Sequence, residues 1–65
     1  MNNNSFVTGT LIGVDSNALS LMAHFKGLAT DQGLSSEWIN EVLTDAMSGD
    51  YVHLLKVLNS HMREK

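Results

Sequence analysis

Sixty-five residues suffice for one domain at most, and a chain this short buries only about 60% of the surface its unfolded form exposes. Seven acidic against four basic residues give a formal net charge of −3, which argues against nonspecific binding to nucleic-acid phosphates. With no cysteine there is no disulfide and no thiolate metal site, and no apolar run approaches the length of a membrane span. Met1–Phe6 has neither a positive leader nor a long apolar core, so no secretory signal is expected and a cytoplasmic location is the default expectation.

The chain reads as a single domain over residues 1–65, with residues 1–5 and 64–65 expected to fray. Phe6–Val14, FVTGTLIGV, alternates at period two and is rich in β-branched residues, which predicts a strand. Phe6, Thr8, Thr10, Ile12 and Val14 share one face; Val7, Gly9, Leu11 and Gly13 share the other. Nothing after Val14 reads as a second strand, and a strand needs a partner. Three outcomes meet that need: an antiparallel ribbon across a homodimer, addition to a sheet of another protein, or an extended arm laid across the helices.

Asp15 is placed to cap a first helix over Ser16–Gln32, with Val14 and Leu19 spaced as a hydrophobic staple. Ala18, Leu21, Met22, Phe25, Leu28 and Ala29 recur at the spacing of one buried face. Gly27 costs about 1 kcal/mol relative to Ala inside a helix. Gly33 ends this helix, with Leu34 folding back onto its last turn. Ser35 caps a second helix over Ser36–Ser48, stapled by Leu34 and Ile39 and stopped by Gly49. Asp50 caps a third over Tyr51–Arg63 that buries Leu54, Leu55, Leu58 and Met62, with Tyr51 and Val57 at the edges. The expected class is therefore α+β: one short N-terminal strand followed by three helices.

The second helix carries the most distinctive charge pattern. Glu37–Asp50, EWINEVLTDAMSGD, holds four acids and no Lys or Arg, and the base-free stretch begins at Asp31. At about 100° per residue, Glu37, Glu41 and Asp45 fall within roughly 80° of one another. Ile39, Val42, Leu43 and Ala46 lie opposite, with Trp38 and Met47 on the rims. Like charges four residues apart cost a few tenths of a kcal/mol per pair, so this stripe is no local stabilising device. Their spacing of about 6 Å along the helix is comparable with that of successive phosphates on a nucleic-acid strand. A partner that holds DNA or RNA through Lys and Arg can meet this face instead. Trp38 and Tyr51 are the residue types most used as interface anchors. The expected partner-binding set is Asp31, Glu37, Trp38, Glu41, Asp45, Asp50 and Tyr51. The competing reading makes Trp38 a core residue, whose truncation costs about 3–5 kcal/mol.

Other chemistries find less support. Ala29, Gly33 and Ile39 reproduce the small residue, turn glycine and buried aliphatic of a helix-turn-helix. The exposed start of its second helix would offer Ser35, Ser36, Glu37, Asn40 and Glu41, with no cation for phosphate or guanine. His24, His53 and His61 show no H-x-x-x-H spacing, so no metal is expected. His53 stands three residues after Asp50, as in a capping box, while His24 and His61 read as partly exposed helix residues. No G-x-S-x-G, P-loop or G-x-G-x-x-G occurs, so neither enzymatic activity nor a cofactor is expected.

VDSNALSLM (Val14–Met22) and GLSSEWINEVLTDAMSGDYVHLL (Gly33–Leu55), the GDYVHLL stretch above all, resemble a group of short uncharacterised proteins encoded by phages, prophages and bacterial chromosomes. The resemblance implies a short strand followed by helices and a mobile-element setting; it carries over no residue role. The expected function is a non-enzymatic protein-binding module. It would be a phage or mobile-element accessory that inhibits or modulates a host nucleic-acid-handling protein of the defence type through its acidic face, as an anti-CRISPR does. A helix-turn-helix regulator and a structural homodimer are the alternatives.

Overall fold

The computed structural model describes residues 5–63. The fraying expected of residues 1–5 and 64–65 falls, Ser5 apart, outside them. In chain order the elements are β1 (Val7–Thr8), α1 (Ala18–Asp31), α2 (Ser36–Met47), α3 (Tyr51–Ser60) and β2 (Met62–Arg63). The expected α+β class, an N-terminal strand and three helices, is what the chain adopts. Among the described residues no helix is long and apolar enough to cross a membrane.

The strand finds its partner in the chain's own end. β1 and β2 pair in parallel, Val7 opposite Met62 and Thr8 opposite Arg63. The Val7 amide donates to the His61 carbonyl and the Gly9 amide to that of Arg63, each at 2.7 Å. Two findings differ from expectation: the strand takes a partner from within the chain, a fourth outcome beside the three expected, and the third helix stops at Ser60 rather than Arg63. Two residues are too few to show a period-two signal, and Met62 also continues the helical spacing of Leu54, Leu55 and Leu58. Met62 is buried as expected, but from a strand. Arg63 lays its guanidinium over the Phe6 ring, 4.9 Å from the centroid.

The strand itself is shorter than its alternation suggested, ending at Thr8 instead of Val14. From there to Thr10 the backbone runs as an arm along α1, so the arm expectation holds for this part. The Gln32 carboxamide faces Thr8 and pairs with it twice. The Thr8 amide donates to Oε1, and Nε2 donates to the Thr8 carbonyl, both at 2.8 Å. Two turns earlier on α1, His24 Nε2 donates to the Thr10 carbonyl at 3.1 Å. Leu28 lies between them, against Gly9. A Cβ at Gly9 would stand 2.8 Å from Leu28 Cδ1, and its φ of +148° is one that other residues rarely adopt. His24, Leu28 and Gln32 thus form an i, i+4, i+8 stripe that grips the arm through alternate backbone groups.

The helix ends follow local rules. α1 begins two residues later than expected, because Asn17 rather than Asp15 caps it, accepting from the Leu19 amide at 2.8 Å. Asp15 instead accepts from the Asn17 amide in an Asx turn. The shift leaves Leu19 73% exposed, so it forms no staple. At the other end the Gly33 amide donates to the Thr30 carbonyl and the Leu34 amide to that of Ala29, the two bonds of a Schellman motif. Ser35 caps α2 through the Trp38 amide at 3.1 Å, and Asp50 caps α3 through the His53 amide at 2.9 Å, both as expected.

Val7, Phe25 and Leu58 are the largest fully buried side chains, one each from β1, α1 and α3. Leu21 and Ala29 extend this core along α1, Ile39, Val42 and Ala46 along α2, and Leu54 and Val57 along α3. Val57 is buried where an edge was expected, while Leu55 is only partly buried. The buried face of α2 fixes which residues that helix turns outward.

Candidate functional site

Because Ile39, Val42 and Ala46 point into the core, α2 must present Glu37, Glu41 and Asp45 to solvent, and all three are exposed. Among the described residues no Lys or Arg lies within ion-pair distance of any of them; the one pairing is His53 Nε2 with Asp45 Oδ1 at 3.2 Å. Among the described residues, Glu37 and Glu41 have no cationic partner, and Asp45 is shared with His53. Glu37 stands in the first turn of α2, where the helix dipole favours it; Asp45 stands near the opposite end, without a basic residue in that last turn.

Trp38 is half-buried. Its indole stacks on Phe25 with centroids 6.0 Å apart and 28° between planes. It meets the His61 ring edge-on at 5.7 Å. Trp38 therefore ties α2 to α1 and to the end of α3, and offers a partner the remaining edge of its ring. Met47, at the other rim, is exposed. Asp31 is exposed at the last position of α1, and Asp50 is exposed while its carboxylate holds the start of α3. Tyr51 lies apart from the stripe. Its hydroxyl donates to the Ser16 carbonyl, and its ring lines an open cavity to which α2 contributes nothing. Of the seven expected residues, the structure aligns Glu37, Glu41 and Asp45 on one face and sets Trp38 beside them.

The sequence spacing alone did not reveal a polar knot at the α2–α3 turn. Only half of the expected capping box forms: His53 does not reach back to Asp50 but crosses to α2. Its Nε2 lies 2.9 Å from the Asp45 carbonyl, 3.2 Å from the Asp45 carboxylate and 3.4 Å from Ser48 Oγ. Ser48 Oγ in turn donates to the Asp45 carbonyl at 2.7 Å. Facing these acceptors, Nε2 carries the proton and acts as a C-terminal cap for α2. The set is Ser, His and Asp, but serine and aspartate meet the same ring nitrogen. A proton relay needs them on opposite nitrogens, so the knot holds two helices together and activates no nucleophile. No three His, Asp or Glu side chains converge on a metal-sized site among the described residues.

Comparison with protein-family models, with curated proteins and with solved structures gives no match for this chain.

Proposed function

We propose that this chain is a non-enzymatic binding module whose α2 face captures a cationic protein surface. The observation that carries the reading is the row of Glu37, Glu41 and Asp45, exposed over a buried Ile39, Val42 and Ala46 and, among the described residues, paired with no Lys or Arg. Acids four residues apart repel, and a fold that retains them against that cost displays them at a spacing that suits a groove built for phosphates. The partner class is thus a nucleic-acid-handling protein whose Lys and Arg are open to competition. In the mobile-element setting that the resemblance implies, the role is inhibition of a host defence complex, as an anti-CRISPR performs it.

Reversal of the three acids to Lys tests this. The triple variant keeps its helical circular dichroism, because all three side chains are exposed. It fails to retain the partner that the parent chain captures from host lysate. The parent complex weakens as salt rises, since surface charge is screened over about 10 Å at 0.1 M. Equal capture by both proteins, or capture indifferent to salt, sinks the role of this face.

A helix-turn-helix reading is favoured by one observation: Ala29 and Ile39 are buried on either side of the Gly33 turn. Against it stand Glu37 and Glu41 at the end that would enter a groove. Fluorescence anisotropy with duplex DNA at low salt separates the two readings, and salt-sensitive binding would reverse their order.

A further inference from the structure

The segment from Thr10 to Ser16 links the arm to α1 without regular structure. It forms one wall of an open cavity of about 310 Å³, whose other wall is Leu21 of α1 with Tyr51, Leu55 and Asn59 of α3. Among the described residues no charged side chain lines this space. From the segment, Leu11 and Val14 rest partly buried on the core, while Ile12 stands 79% exposed at the tip.

Its internal bonds are local. The Val14 amide donates to the Leu11 carbonyl at 3.1 Å across a turn in which Gly13 has a φ of +86°, and the Ile12 amide donates to Thr10 Oγ1 at 3.1 Å. Bonds to the rest of the fold occur at its two ends. His24 of α1 donates to the Thr10 carbonyl, and Tyr51 of α3 donates to the Ser16 carbonyl. Among the described residues, that tyrosine hydroxyl makes the one hydrogen bond from the segment to α3.

We propose that Thr10–Ser16 is a latched lid that forms the movable wall of this open, uncharged cavity, and that the Tyr51 hydroxyl is its latch. The lid opens between His24 and Ser16, and the bond from the Val14 amide to the Leu11 carbonyl loosens with it, because that lone turn is held in place by Leu11 and Val14 resting on the core. Its tip gives up little burial on opening, since Ile12 is already 79% exposed. The resistance comes from Leu11, Val14 and the latch. Segments held this way open at free energies below that of global unfolding. Tyr51, expected from sequence as an interface anchor, in this reading sets how often that wall of the cavity swings away. The lid is independent of the acidic face.

Amide hydrogen exchange of the full chain, followed by NMR, tests the lid with Tyr51→Phe, which keeps the ring and removes the donor. In the parent protein the Val14 amide exchanges faster than the helix-interior amides of Val42 and Leu58. In the variant Val14 exchange accelerates by roughly three- to tenfold, the range expected for one lost hydrogen bond, and exceeds any acceleration at Val42 and Leu58. An unchanged Val14 rate would show that the hydroxyl is no latch. Equal acceleration at all three sites, or parent Val14 exchanging as slowly as Leu58, would show that this segment opens only with the whole fold. Either result overturns the proposal.

Discussion

The paired bonds between Gln32 and Thr8 give the most direct test of how the N-terminal arm is held. Gln32→Ala removes both the acceptor of the Thr8 amide and the donor to its carbonyl, each made at 2.8 Å. A typical intramolecular hydrogen bond contributes about 0.5–1.5 kcal/mol net, so two contribute about 1–3 kcal/mol. Gln32 is exposed, and water can reach the freed backbone groups, which places the loss nearer about 1 kcal/mol. For a chain of this size total stability is roughly 3–10 kcal/mol, so the change is measurable, and about 1 kcal/mol lowers Tm by about 4–8 °C. Urea unfolding followed by circular dichroism gives the number. Gln32→Glu sharpens the test, because a carboxylate still accepts from the Thr8 amide but turns an acceptor toward the Thr8 carbonyl. It should be at least as damaging as Ala at neutral pH and recover on acidification, when the carboxyl regains a donor. Stabilities of Gln32→Ala and Gln32→Glu within 0.3 kcal/mol of the parent, on the order of measurement error, would show that the carboxamide does not hold the arm.

Three further outcomes follow from the packing. Phe25→Ala, at a fully buried ring stacked on Trp38, costs about 3–5 kcal/mol and leaves little folded protein by circular dichroism at 25 °C. Gly9→Ala drives a Cβ against Leu28 at a strained φ and costs about 1–3 kcal/mol in urea unfolding; relief by shortening Leu28 to Val is only partial, since the backbone strain stays. Asn17→Ala loses about 1 kcal/mol as a helix cap, whereas Asp15→Ala loses less than half of that; the reverse order would restore Asp15 as the cap.

What was legible in the sequence was whatever rests on near neighbours. Ser35, Asp50 and the Gly33 end announce themselves because a cap or a Schellman bond joins residues a few positions apart. The outward set of Glu37, Glu41 and Asp45 follows from one helical period and one buried face. Asp15 was the expected cap of the first helix, but Asn17, two residues on and of the same capping class, takes the role. The rest depended on distant pairs. Met62–Arg63 has no strand signal of its own; it is a strand because Val7 is beside it. Gln32 and His24 looked like ordinary polar helix residues, yet each meets a backbone group far away in the chain. His53 passed for a capping-box member because Asp50 is near in sequence, while its actual partner, Asp45, lies across a turn. Tyr51 likewise gave no hint of Ser16.

The parallel pairing of Val7 with Met62 closes the molecule into a ring whose clasp joins its first and last regular elements. Such a clasp draws together almost the whole chain, so it has the largest loop entropy to overcome and forms late in folding. It also brings the two ends of the fold side by side. A short peptide bridge between them, with the chain reopened at the exposed turn around Gly13, where a Cβ would meet nothing within 4 Å, should therefore yield a circular permutant with the same core and a clasp that no longer has to find itself.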